Sequence, residues 1–371
     1  MTVQSQVETV PVLPTAARPR RRFGIRFTEA GLVAVVLMIG TMLAIFGGSL
    51  RVRDSATGHL VTVNKFLRLD NLDLVMKDTS YFAIMATGAT FVILTGGIDL
   101  SIGATYCLSA VSGAMFLSWY GPSGVNASPV WTVPTAILLC LGVGTVCGLL
   151  NGVGVVLLRI HPFVITLGTM AIFRGIAFVM SKAQSFTNFP PQFTDGLIRY
   201  QIAGHLYPVP MAIMFGVVIV AGIFLKHFVA GRKIFAVGGN EQAALYSGLA
   251  VNRVKLLVYA VSGLSAGVAS VIMLGYYGSA SSDAGKGYEL DVIAAAVVGG
   301  ASLAGGRGTV LGALLGALII QLIDNGIIIL NIDNNYSQII IGAVIIVAVV
   351  LERTSSVFRQ RRLARSAHSS R

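Results

Sequence analysis

Charge is what this sequence has least of. Only 11% of its residues are Asp, Glu, Lys or Arg, where an ordinary soluble domain carries about 25%. A water-soluble fold of 371 residues could not cover its surface with so few charges, whereas lipid requires no such cover. Cysteine is nearly absent too. Cys107, Cys140 and Cys147 all sit in apolar stretches with no CxxC spacing, which excludes a disulfide framework, a redox pair or a zinc site and leaves small buried hydrophobes. The five histidines (His59, His161, His205, His227 and His368) are scattered. No GxxxxGK[ST] phosphate loop, HExxH, GxSxG or kinase signature occurs. Nothing in the chain activates a nucleophile or holds a catalytic metal. A membrane enzyme acting on lipid-linked sugars would need an acidic or histidine cluster on one face, and none is present. Active transport by such a chain must draw its energy from another chain or from an ion gradient.

What is abundant is apolar. Hydrophobic residues make up 55% of the chain and mean hydropathy is +0.80. The formal net charge of +12 does not point to nucleic acid, because Arg and Lys cluster at the two ends and between apolar runs, with no aromatic-interleaved basic stripe. Anionic lipid beside a positive cytoplasmic face is the partner this distribution fits. Apolar segments can be drawn at 29–50, 75–95, 98–118, 131–157, 162–181, 209–227, 255–276, 290–304, 309–330 and 336–351. The eighth is short and interrupted by glycine. These predict an all-α polytopic membrane protein of about ten transmembrane helices. The first run follows Arg18–Arg26 as a signal peptide would, but it is long enough to span, and no clear small-residue cleavage site follows it. Residues 1–26 read as a disordered basic tail, 27–353 as the membrane domain and 354–371 as a second basic tail. With both termini in the cytoplasm, the inner face receives the two terminal clusters, Arg159, Lys226, Arg232, Lys233, Arg253, Lys255 and Arg307. That is the bias the orientation rule requires. The segments 51–74 and 182–208 then lie outside.

Two glycine-rich breaks stand out. In Thr95-Gly96-Gly97-Ile98-Asp99-Leu100-Ser101-Ile102-Gly103, adjacent glycines end one helix and Asp99 or Ser101 can cap the next. A carboxylate at mid-depth costs about 2.5–3.5 kcal/mol on insertion scales, so Asp99 either caps the third helix or belongs to a broken-helix element lining a path. Gly299-Gly300-Ala301-Ser302-Leu303-Ala304-Gly305-Gly306-Arg307-Gly308 repeats the pattern about 200 residues later, with a new helix starting at Thr309. Between the sixth and seventh segments, Gly238 and Gly239 read as a turn, Asn240 as an N-cap, and Glu241 and Gln242 as acidic and polar residues suited to a helix start. Ala243, Ala244 and Leu245 propagate a helix of about two turns that Gly248 ends. A helix this short must pack on something, either its own bundle or a soluble partner.

This loop resembles the coupling-helix region of ATP-binding cassette importer permeases. There a Glu-Ala-Ala-like segment followed by glycine contacts the ATPase; Glu241, Ala243, Ala244 and Gly248 fill those places, with one extra residue between Glu and the Ala pair. The chain is similar to the ribose-type branch of the branched-chain amino acid and sugar permease superfamily. It shows Gly-Gly-Ile-Asp-Leu-Ser at 96–101, Phe163–Met170 followed by Arg174-Gly175, and Gly287–Ala295 leading to Gly312–Gln321. The resemblance spans roughly 75–352. It implies a bacterial inner-membrane permease that moves a monosaccharide and binds no cofactor itself. It also implies a second permease copy or close paralogue, an ATP-binding subunit that holds ATP-Mg and hydrolyses it, and a periplasmic sugar-binding protein. A neutral solute suits hydroxyl and amide groups. Thr95, Asp99, Asn151, Thr166, Arg174, Gln321 and Asn325 are the candidate path residues, unless they bridge helices instead.

Overall fold

A computed structural model describes residues 27–53, 59–120, 128–202, 206–344, 346–347 and 350. The two tails expected at 1–26 and 354–371 lie outside the described residues. The chain is helical along most of its length: α1 (Phe27–Phe46), α2 (Leu69–Leu94), α3 (Ile102–Tyr120), α4 (Pro129–Leu158), α5 (Pro162–Ser181), the single turn α6 (Pro191–Phe193), α7 (Pro208–His227), α8 (Val229–Gly239), α9 (Glu241–Tyr246), α10 (Val251–Tyr277), α11 (Tyr288–Val298) and α12 (Val310–Ile329). Residues 337–344 continue as helix after it. Seven of these helices, α1, α3, α4, α5, α7, α10 and α12, are long and apolar enough to cross a membrane.

The helix starts follow local chemistry. Pro129, Pro162 and Pro208 each occupy a first-turn position, where the missing N–H costs nothing. Ser128, His161 and Thr309 accept from the amides of Val130, Phe163 and Gly312.

Several expected boundaries move. The first apolar run does not stay helical to residue 50: α1 ends at Phe46, and Ser49–Arg53 pairs antiparallel with Leu60–Asn64 as strands β1 and β2. The hairpin is tied back where Asn64 Nδ2 donates to Ala44 O at 2.6 Å. The segment expected as a polar loop at 51–74 therefore contains β2 and the start of α2, which begins at Leu69 rather than 75. The third segment starts at Ile102, because residues 95–101 form a non-helical return. The eighth, drawn at 290–304, is the 11-residue α11. At 1.5 Å per residue it spans about 16 Å, half the ~30 Å hydrocarbon thickness. It is preceded by the irregular stretch 278–287, which folds back into the bundle.

At the centre, α10 lies antiparallel to α4, and α2 and α3 pack around them. Gly144 and Gly148 of α4, four residues apart, face Gly263 and Gly267 of α10, and Gly152, one turn further on, faces Leu256 and Tyr259. A Cβ on Gly144, Gly148, Gly263 or Gly267 would strike the opposing backbone. Small residues at this spacing let two membrane helices approach closely, where lipid supplies no hydrophobic drive. α2 is buried along nearly its whole length from Val75 to Leu94, whereas α1 and α5 present large exposed apolar surfaces such as Leu37, Met38, Val164 and Val179.

Candidate transport path and coupling site

The return after α2 carries a buried polar network. Asp99 Oδ1 accepts from the Ser101 amide at 3.0 Å and from Ser101 Oγ at 2.7 Å, and Asp99 Oδ2 accepts from Ser262 Oγ of α10 at 2.7 Å. Asn151 of α4 donates to Ser101 Oγ at 2.6 Å and accepts from Thr169 Oγ1 of α5 at 2.6 Å. Thr166 Oγ1 lies 3.2 Å from the Ile98 carbonyl, which the Tyr259 hydroxyl also approaches at 3.4 Å. Ser262 stands eleven residues beyond the α10 start at Val251, about 16 Å along its axis, so the carboxylate sits deep in the bundle. Its donors are all neutral, and it is 3% exposed. Satisfying its lone pairs with hydroxyls and an amide is what makes a buried carboxylate tolerable.

Asp99 itself bonds Ser101, the residue just before α3, and Ser262 of α10; the network reaches α4 through Ser101 and Asn151. Asp99, Asn151 and Thr166, singled out from sequence, come together here. Ser101, read from sequence as a possible cap, and Thr169 join them; Ser262 and Tyr259 of α10 were missed. Asn151 and the hydroxyls lie on different helices, and no local pattern links α4 and α5 to residue 99.

The second feature is at the end of the bundle where α8 meets α9. Gly238 and Gly239 do not form a turn; they are the last two residues of α8. The reason is packing. Gly238 lies against the Leu94 carbonyl and the Gly306 amide, and Gly305 lies against Gly96 and Gly238. The Gly306 amide donates to Leu94 O at 2.9 Å. The two glycine breaks, 200 residues apart in sequence, thus meet at one point with the helix that leads to α9, a short peg at the end of the bundle. Gly96, Gly305 and Gly306 hold positive φ there (77°, 83° and 72°), which a side chain would oppose. Thr95 sits at the same place, its hydroxyl donating to Val92 O at 2.8 Å.

The peg itself forms as its residues dictate. Asn240 Oδ1 accepts from the Ala243 amide at 2.9 Å as the N-cap of α9. Gly248 follows with φ +77°. Glu241 pairs with Lys255 of α10 at 2.6 Å. Ala244 is buried against the bundle, while Leu245 and Tyr246 are 55% and 85% exposed.

The family model described as "Branched-chain amino acid transport system / permease component" matches residues 71–349. The chain belongs to this permease family. It is 40% identical over 291 residues to the ribose import permease protein RbsC of Haemophilus influenzae, covering 77% of this chain and 86% of that one. It is 38% identical over 295 residues to RbsC of Bacillus subtilis, covering 78% and 87%. The Autoinducer 2 import system permease protein LsrD of Escherichia coli is 36% identical over 303 residues, covering 79% and 87%. No solved structure matches the chain.

The remaining candidates of this permease occupy other places. Arg174 of α5 reaches into the stretch 278–287, where its guanidinium donates to the carbonyls of Ser282 (3.3 Å), Ala284 (2.5 Å) and Gly285 (3.1 Å). It is a strut for that stretch. Asn325 of α12 and Asn71 of α2 exchange amide hydrogen bonds at 3.2 and 2.8 Å. Gln321, one turn earlier on α12, is buried, and its Nε2 has no partner. Among the described residues no cluster of His, Cys, Asp or Glu could hold a metal ion.

Proposed function

We propose that this chain is the membrane-spanning subunit of an ATP-binding cassette importer that moves a monosaccharide, a pentose or hexose, inward across the bacterial cytoplasmic membrane by alternating access. In this reading α9 faces the cytoplasm, and both termini lie on that side. A partner ATPase holds and hydrolyses ATP-Mg, a second permease copy or paralogue completes the path, and a periplasmic binding protein delivers the sugar.

The observation that carries the reading is the contact of Gly238 with Leu94 and Gly306. A push on α9 from a closing ATPase enters α8. Its last turn is in van der Waals contact with both glycine breaks, and the first of these leads within five residues to Asp99. A displacement of the peg therefore reaches a hydrogen-bonded junction of α3, α4, α5 and α10, which is where a bundle with two packings would switch. Relatives named for ribose import support the sugar, as does a buried polar set made of hydroxyls and amides.

The test is energetic. Uptake by cells expressing the assembled importer should stop when ATP is depleted and persist when the proton gradient is collapsed. The opposite result would make Asp99 the ion site of a gradient-driven carrier and remove the ATPase from the account.

A further inference from the structure

A cavity of about 430 Å³ opens at the far end of α10 from the peg. Ser185, Tyr277, Ser279, Ser281, Asp283 and Lys286 line it. Its volume lies within the range of small-molecule sites. The wall is the stretch 278–287, held from three sides: by the Arg174 fork, by the Cys107 thiol 3.2 Å from Ser282 O, and by Phe186 and Ala280, whose amides and carbonyls pair at 2.9 and 3.0 Å. Gly285 and Gly287, at φ +68° and +89°, make the bends. The wall is thus a fixed surface.

One donor is also oriented. Lys77 is 1% exposed; its ammonium pairs with Asp78 at 2.6 Å, sits 3.9 Å from the Tyr276 ring centroid, and lies 3.4 Å from the Tyr277 hydroxyl oxygen. An ammonium only donates, so the Tyr277 oxygen accepts there and its own proton is free to point elsewhere. Tyr288 contributes a ring to the floor, where it packs on Phe82 at 4.6 Å and Tyr106 at 5.6 Å.

We propose that this cavity is a solute-docking subsite at the outer mouth of the path, taking a neutral polyhydroxylated solute of monosaccharide size. This rests on the importer reading for its direction and its substrate class, and adds where on this chain the solute docks. Three serine hydroxyls, a phenol, a carboxylate and an ammonium supply both donors and acceptors to a solute bearing many hydroxyls. Asp283 and Lys286 cancel in net charge. Aromatic faces suit the C–H face of a sugar ring. A branched alkyl side chain set against the same wall would leave its hydroxyls unpaired, a costly mismatch.

The test uses the full-length permease in spheroplasts freed of periplasmic protein. Ser281→Cys, and separately Ser279→Cys, are exposed to a membrane-impermeant thiol reagent with D-ribose, D-galactose or L-leucine present. Cys107, Cys140 and Cys147 are buried, and the unsubstituted chain serves as the background. The expected result is labelling from outside that slows several-fold, dose-dependently, with one or both sugars and not with leucine. Tyr277→Phe should weaken that protection while leaving labelling without sugar unchanged. No labelling of either variant, no protection by either sugar, or protection by leucine overturns the subsite. ATP-dependent uptake by a chain showing no protection sinks this proposal alone. Sugar protection in a chain whose uptake ignores ATP upholds the subsite and sinks the importer reading.

Discussion

Asp99 places a carboxylate in the middle of an apolar bundle with only neutral donors around it, and its replacement has a defined cost. Asp99→Ala leaves the Ser101 amide and the Ser101 and Ser262 hydroxyls without their acceptor, each loss worth about 1–3 kcal/mol when the group stays buried. Asp99→Asn keeps one oxygen for Ser101 and offers an amide to Ser262. The expected order of thermal stability in detergent is wild type, then Asn, then Ala, with uptake falling in the same order; an alanine variant as stable as wild type contradicts the network. Arg174 carries a different expectation. Lysine can reach one carbonyl but cannot fork across three, so Arg174→Lys should loosen 278–287 and speed its amide hydrogen exchange. The type of these residues was legible in the sequence, since a carboxylate and an arginine in apolar runs require partners. Their partners were not. Carbonyls on a stretch more than 100 residues away leave no local trace.

At the scale of elements, the peg shows what short-range chemistry can specify. Asn240, Glu241, the alanine pair and Gly248 give a capped helix, and α9 forms where they place it. Gly238 and Gly239 read as a turn because two adjacent glycines ordinarily break a helix. Both remain helical, and at Gly238 α8 presents a surface without a side chain to Leu94 and Gly306, whereas a Cβ on Gly239 would meet nothing. Gly238→Ala puts a methyl into that contact. Overpacking of this kind costs about 1–3 kcal/mol, and the expected outcome is an assembled importer that hydrolyses ATP while uptake falls sharply. Equal uptake by the variant would show that the three-way contact transmits nothing. Asn240→Ala removes about 1 kcal/mol of capping from a six-residue helix, which cannot hold itself. Hydrogen exchange over 241–246 should rise while the long helices keep their protection.

Across the whole molecule, the sequence conveyed the long apolar helices well and the interrupted ones poorly. α5 appears at 162–181 as read, because Pro162 and a left-handed Lys182 mark both ends. α2 begins six residues early, since its charged first turns carry no apolar signal, and α11 is only half a crossing. The packing of α4 on α10 sets the frame for all of them. Gly148→Leu should force the pair apart and lower the yield of folded protein and its melting temperature, whereas Gly216→Leu on α7, where nothing lies near the position, should change neither. The account as a whole stands on the peg meeting an ATPase on the cytoplasmic side. Its most direct test is a cysteine at the exposed tip, Tyr246→Cys, with a thiol cross-linker applied in intact cells carrying all subunits. The account predicts a cross-link to the ATP-binding subunit whose yield changes with nucleotide. Labelling of that cysteine from the periplasm, or no cross-link to the ATPase in a transport-competent variant, would contradict it.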